Sequence, residues 1–413
     1  MLKRFLIMAM IAVCVVVLTM PQLSAQRADE MVDRDGFSFT VRDGGYLARW
    51  IEQVYQVGTA NLVKTNPDFA VCDQVLREIW KECNVNKLGR IAISGKEVAP
   101  DFFTVKQFGE IRSLDRTGSI WKLMPDAPLA ALDCMPLHTL VAFGVNLDGA
   151  ALMQMIDFYV AKYGNQKVRQ KYTEGLAEAM QEGIDIRKLV SSISGIAVYV
   201  EADPARQVMP GFSSASVIIT VKDRAIMDLV VNAAKEKNPS LVTVNNELLV
   251  PMEFGEVAVF QSGNNIIVTT DPVGIRNVIA GNAPSLKKNP DFVKYAAGTP
   301  AVGSGFFFCS SELGKSVLPL YMSMIPQEVQ AMVDVKAMCD VLGVGPAVYS
   351  VSCTQPNGVW SICNTGSKGL TIFMTDQAMG SAVFSILTAA CGNIKQELDF
   401  GEDDGEDDLT PVE

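Results

Sequence analysis

Charge disappears between Phe5 and Met20, and from Tyr46 onward the apolar residues fall into short periodic runs separated by turn-forming residues. Lys3 and Arg4 precede the first run, Pro21 breaks it, and Leu23-Ser24-Ala25 ends it with small or apolar residues. This order predicts an export signal over residues 1–25, cut before Gln26. The run is shorter than the roughly 20 apolar residues of a membrane span. Cys14, after Ile11-Ala12-Val13, is the candidate for lipid anchoring, but Val13 is bulkier than the residue normal there and Cys14 lies mid-run.

Beyond the signal, Leu47, Trp50, Ile51, Val54 and Val57 recur at helical spacing, predicting a helix over 46–63. Asn66-Pro67-Asp68 reads as the start of a second helix, with Asn as cap, Pro in the first turn and an acid at the positive helix end. Arg90–Ile93 and Phe102–Val105 read as paired strands, followed by Ser119–Leu123. Pro125 and Pro128 mark a boundary.

The middle of the chain predicts strand 140–145, helices 150–163 and 166–183, strands 196–200 and 215–221, and helix 223–235. A meander of 248–250, 257–260 and 266–269 follows, with Gly263-Asn264-Asn265 as its hairpin turn. The order then partly recurs: strand 305–309, helices 313–324 and 326–341, strands 347–351 and 359–363. The expected fold class is α+β, built from repeated strand-helix-helix-strand-strand units with largely antiparallel sheets and helices on one face. The expected division is a signal at 1–25, an N-terminal segment at 26–125, a central unit at 126–300, a C-terminal unit at 301–395 and an acidic tail at 396–413.

From Val257 to Phe292 the order is a strand pair, a helix ending at Ala280-Gly281, Ser285-Leu286, and Asn289-Pro290-Asp291-Phe292 leading toward the next strand. This stretch resembles a class of exported bacterial proteins of unknown function, over roughly residues 125–375. The resemblance implies an extracytoplasmic α+β protein of repeated units and brings no catalytic residues.

Composition narrows the function. Residues 396–413 carry nine acids and no base, so most of the formal charge of −11 is a tail and the body is nearly neutral. Such a body has no electrostatic footprint for nucleic acid. The uncharged run from Gln377 to Ile394 touches the length of a membrane span, but Gly380, Ser381, Ser385, Thr388 and Gly392 make it semi-polar, and a docked core helix is expected. Cys134, Cys309, Cys353 and Cys363 sit in or beside apolar strand-like stretches, where cysteine behaves as a small hydrophobe. Cys72 and Cys83 flank a helix and are placed for one bridge; the other reading keeps the thiols reduced. No CxxC occurs.

Candidate chemistry is sparse. A Ser-His-Asp triad would have to use His138, the one histidine. Cys134 lies four residues before it, but His138 is expected to cap or pack beside the 140–145 strand. Gly211-Phe212-Ser213-Ser214-Ala215 leads into a strand, whereas a nucleophile elbow leaves one. Ser285-Leu286-Lys287-Lys288 matches S-x-x-K without its S-D-N or K-T-G companions. Glu201 with Asp203, and Glu253 with Glu256, bracket turns and read as solvated caps. Phosphate-loop and dinucleotide patterns are missing from the sequence, and the acidic tail lacks EF-hand spacing. No catalytic, cofactor-binding or metal residue is assigned, and no cofactor is expected. The expected function is an exported envelope or extracellular binding or scaffolding module without catalysis, acting on an unidentified partner and with no membrane span after cleavage. The alternative is an envelope hydrolase with scattered site residues.

Overall fold

The computed structural model describes residues 31–65, 69–70, 73–74, 77, 88–111, 123–202, 213–243, 245–252, 255–316, 345–355 and 358–371. The expected signal segment, the start of the helix expected at Asn66, most of the strand expected at 119–123 and of the helix pair expected at 313–341, the 377–394 run and the acidic tail lie outside them.

Strands β1 (Ser38–Asp43), β2 (Leu88–Ala99) and β3 (Phe102–Ile111) form an antiparallel meander, with helix α1 (Gly44–Thr65) between β1 and β2 and against β2. The expected strand pair is therefore present and longer than its apolar cores. Two-residue β4 (Ala127–Pro128) leads to a 3-10 turn at Ala130–Asp133 and to β5 (Thr139–Asn146).

Three helices follow: α2 (Gly149–Tyr163), α3 (Gln166–Gln181) and α4 (Ile186–Ser192). Asp148, Asn165 and Asp185 cap them by accepting from the first-turn amides. Next come β6 (Ile193–Glu201), β7 (Ser214–Val221), α5 (Ala225–Lys237), β8 (Leu248–Met252), β9 (Gly255–Ser262) and β10 (Asn265–Thr269). Gly263, with φ +56°, and Asn264 make the β9–β10 turn. Helix α6 (Pro272–Ile279) ends at Gly281, where φ is +76°. Helix α7 (Pro290–Tyr295), short β11 (Val302–Gly303), β12 (Gly305–Cys309), β13 (Val348–Gln355) and β14 (Gly358–Thr365) complete the described elements.

Nine of these strands form one antiparallel sheet in the order β14-β13-β12-β5-β6-β7-β10-β9-β8. The β1–β3 meander lies beside it, with β3 against β14. At the centre β5 pairs with β12, and Phe143 stands opposite Phe307. Outward from this seam the order matches on both sides: β5-β6-β7 one way, β12-β13-β14 the other. Asn146 closes the seam by donating to the carbonyls of Ala127 (3.0 Å) and Gly303 (2.7 Å).

One face of the sheet carries Ala142, Tyr199, Ile218, Ile267, Phe306 and Phe308. The Ala130–Asp133 turn, α6 through Ile275, Leu286 and α7 through Phe292 and Tyr295 cover it. Phe308 is fully buried, and truncating such a residue to Ala costs about 3–5 kcal/mol. Gly144 makes room for its neighbour: a Cβ there would stand 2.3 Å from the Phe306 ring. The Asn289-Pro290-Asp291-Phe292 segment is a helix start rather than a strand lead. Asn289 accepts from the Asp291 and Phe292 amides, and its amide donates to the Leu137 carbonyl.

Helices were expected on one face only, but both faces are partly covered. Ile266 packs beneath Met227 and Val231 of α5, while Ile267, pointing the other way, packs with Ile275 of α6. The physical reason is in the strands: Val217-Ile218-Ile219 and Ile266-Ile267-Val268 are continuous apolar runs, as in strands buried on both sides. On this second face an in-register row crosses the sheet through Val268, Val217, Val198, Phe143, Phe307 and Ser350. Its middle is open: Val198, on the fifth of nine strands, is 41% exposed and Phe307 37%.

Candidate functional site

At one end of β5, β6 and β7 the sheet gathers three of the sequence candidates: His138, Glu201 and the Ser213-Ser214 pair. Thr139, next to His138, is paired with Glu201. The His138 carbonyl accepts from the Ala202 amide at 3.1 Å, and the Glu201 carbonyl accepts from the Ser213 amide at 2.8 Å. The backbone thus brings together residues that are far apart in sequence.

Their side chains are not arranged for nucleophilic catalysis. That chemistry needs a serine hydroxyl on a histidine and the histidine on an acid. Here Ser214 donates directly to the Glu201 carboxylate at 3.0 Å. Ser214 and Glu201 are 4% and 1% exposed, whereas the His138 side chain is exposed. Glu201 was expected to be a solvated cap and is instead buried. It follows Ala197 and Tyr199 on the inward-facing side of β6, and the Ser214 hydroxyl meets it there. Asp203 and Glu253 lie outside the described residues, and Glu256 is exposed.

The polar cluster extends inward. Ser216 donates to Thr269 Oγ1 at 2.7 Å, and the same oxygen accepts the Asp271 amide at 3.0 Å. Asp271 in turn caps α6 through the Gly274 amide. Burial pushes the Tyr199 hydroxyl well above the usual tyrosine range, with the Ser216 hydroxyl beside it pulling back. The sequence signal for this cluster is alternation: Tyr199-x-Glu201 and Ser214-x-Ser216 put polar groups on inward positions of otherwise apolar strands. These short hydroxyl contacts, buried between paired strands, help to fix the strand register.

The remaining candidates scatter. Cys134 is buried, accepts from the Asn265 amide at 3.4 Å, and has its thiol pushed up by burial, against a thiolate nucleophile. In the S-x-x-K match, Leu286–Lys288 is a 3-10 turn and Lys287 pairs with Asp133. Cys134, Cys309, Cys353 and Cys363 are all free thiols. Cys72 and Cys83 lie outside the described residues. An open depression at the α2–α3 corner is lined by Asn165, Arg169, Gln170, Thr173 and Glu174. Among the described residues, no three His, Cys, Asp or Glu side chains cluster as metal ligands, and no helix is long and apolar enough to cross a membrane. The chain matches no protein-family model, no curated protein and no solved structure.

Proposed function

We propose that this chain is an exported binding or scaffolding module of the cell envelope or extracellular space, acting without catalysis on a partner there. The observation that carries this reading is the Ser214–Glu201 contact. Ser214, at the same sheet end as the single histidine, gives its hydroxyl to a buried carboxylate, beside a broad sheet. The basic residues and the apolar run at the start of the chain support export, as does the resemblance to exported proteins of repeated units.

The same proposal takes residues 137–221 and 301–365 as two copies of one strand-helix-helix-strand-strand unit. The matching strand order on either side of the β5–β12 seam supports it. An experimental structure in which 313–324 and 326–341 form a helix pair superposable on α2 and α3 is the expected result. A different element order there would end the repeat reading.

The function is tested by purifying the exported protein and assaying ester, peptide and glycan model substrates. No turnover above that of a Ser214→Ala, His138→Ala double variant is expected. Turnover that both single variants abolish would make the protein an envelope hydrolase. In intact cells, a photoreactive residue at exposed Phe39 of edge strand β1 is expected to give one reproducible adduct with an envelope component.

A further inference from the structure

The strands at the two ends of the β layer, β8 and β1, are finished differently. β8 carries Pro251, which has no amide hydrogen to offer an added strand, and Val242 bridges Leu248 on the side away from β9. Among the described residues β1 pairs with β2 alone, and it contains no proline. Phe39 and Val41, alternate residues on one face of β1, are 40% and 41% exposed. Their β2 partners Ser94 and Ala92 are fully buried, and Ala92 packs with Val32 and Phe108. The covered core on this face therefore stops one strand short of the edge. We propose that β1 pairs with β1 of a second copy of this chain, antiparallel about a two-fold axis at Thr40. This rests on the proposed binding or scaffolding function and names the partner within it: the envelope component that meets Phe39 is another molecule of the same protein.

The strand is its own complement. Residues directly opposite in an antiparallel pair share a face, with Cβ atoms about 4.5–5.5 Å apart. With Thr40 on the axis, Phe39 of each copy stands opposite Val41 of the other, so the exposed apolar side chains cover one another. Centred on Val41, the pairing would set Phe39 opposite the acid at position 43. Centred on Phe39, it would set Val41 opposite Phe37, whose ring already meets Phe103 edge-on at 6.0 Å and lies under Lys368. Charge suits an uncharged, apolar partner strand. Asp33 is paired with Lys106 at 2.9 Å and Asp35 with Lys96 at 2.6 Å, within each copy. Such an interface is isologous and uses up both β1 edges. Pro251 on the far strand keeps the assembly from growing further.

Light scattering of the purified mature protein is expected to give twice the chain mass. Phe39→Lys with Val41→Lys, both at exposed positions, is expected to give the single mass with the far-ultraviolet circular dichroism retained. Thr40→Cys treated with a short bis-thiosulfonate linker is expected to join two chains through position 40, as mapped by peptide. Val98→Cys, at a site 60% exposed, is expected not to join. Benzoylphenylalanine at position 39 guards against a fold lost in the cysteine variant and is expected to label the peptide holding Val41 of a second chain. A single mass for the unaltered protein, a dimer that survives the two lysines, or joining at 98 as readily as at 40 would each overturn the proposal. An adduct from position 39 to a different envelope protein would also overturn it, while leaving the binding function standing. Hydrolysis of the model substrates would end that function without touching the dimer.

Discussion

Thr104 donates a 2.7 Å hydrogen bond to Asn364 Oδ1, joining the N-terminal meander to the last strand of the large sheet across 260 residues of sequence. The Asn364 amide donates in turn to the carbonyls of Tyr295 (2.8 Å) and Ala297 (3.0 Å). Asn364 is 1% exposed, so the loss of this side chain strands three polar partners. Asn364→Leu should lower stability by about 2–4 kcal/mol in denaturant unfolding. Asn364→Asp should be worse at neutral pH, because a carboxylate would face two carbonyls. It should recover partly as the pH falls to about 5 and the acid protonates. An Asp variant insensitive to pH would refute this account of the junction.

Two glycines should respond with opposite signs. A Cβ at Gly149 would stand 1.9 Å from the Val190 carbonyl oxygen and 2.8 Å from that of Ile193, where the start of α2 meets the end of α4. Backbone cannot yield there as a side-chain tip can, so Gly149→Ala should cost about 1–3 kcal/mol or more. Gly175, exposed within α3, has nothing within 4 Å of a new Cβ. Gly175→Ala should add about 0.5–1 kcal/mol. Thermal melts of the two variants decide, and a shift of the same sign in both would contradict the described packing.

The helix layer has its own pH dependence. Asp157 is held below its ordinary 3.8 chiefly by the hydrogen bonds from Arg187, with a further one from Tyr172 at 2.7 Å. A depressed carboxyl contributes its stability above pH 3.8 and loses it as the pH falls through the lower folded value. The pair is half exposed, so Arg187→Met should cost under about 1 kcal/mol at pH 7 and nothing once Asp157 is protonated. Burial first, and the Asp157 bond second, push the Tyr172 hydroxyl up to about 12. Ultraviolet titration of the protein minus its Tyr172→Phe variant should find that late ionisation, and Asp157→Asn should bring it earlier.

Burial pushes the thiols of Cys353 and Cys363 up to about 11 and about 12. At pH 8 a thiol of pKa 12 is ionised only about one part in ten thousand. Peptide-mapped alkylation of the native protein should therefore leave both unlabelled long after denatured protein is fully modified. Labelling of either at the rate of a free thiol, or failure to label in denaturant, would count against free core cysteines.

The proposed export makes a separate prediction. The mature protein should begin at Gln26, as Lys3, Arg4, the apolar run and Leu23-Ser24-Ala25 require. N-terminal sequencing of protein recovered outside the cytoplasm checks it, and an intact Met1 there would overturn the reading.

Most of the strands could be read from the sequence because each is a compact apolar run between turn residues. Gly263-Asn264 and the Leu140–Val145 run are local signals, and both appear where expected. Helix α4 escaped notice because its seven residues make barely two turns, announced only by the Asp185 cap. The two-sided burial of β7 and β10 was written in their unbroken apolar runs but is easily taken for strong strand propensity. Glu201 was misplaced for a related reason. A charged residue at a strand end looks solvated until its alternation with Ala197 and Tyr199 is counted. The β5–β12 seam had no local signature, since strand partners separated by so much chain are set by global packing.

That seam also governs when the molecule can become itself. Asn146 must find Gly303, 157 residues later, whereas β6 with β7 and β13 with β14 can pair as soon as each hairpin exists. Ribosomes deliver the chain from the N-terminus, and a chain threaded through an export channel arrives in the same order. Each three-stranded half can form early from its own neighbours, but loop-closure entropy delays their union until the second half has emerged. Until then the edges of β5 and β12 lie bare, each a template for another strand. The centre of the finished sheet is thus the last edge to be sealed, and the interval before its closure is when a newly made chain is most exposed to pairing with the wrong partner.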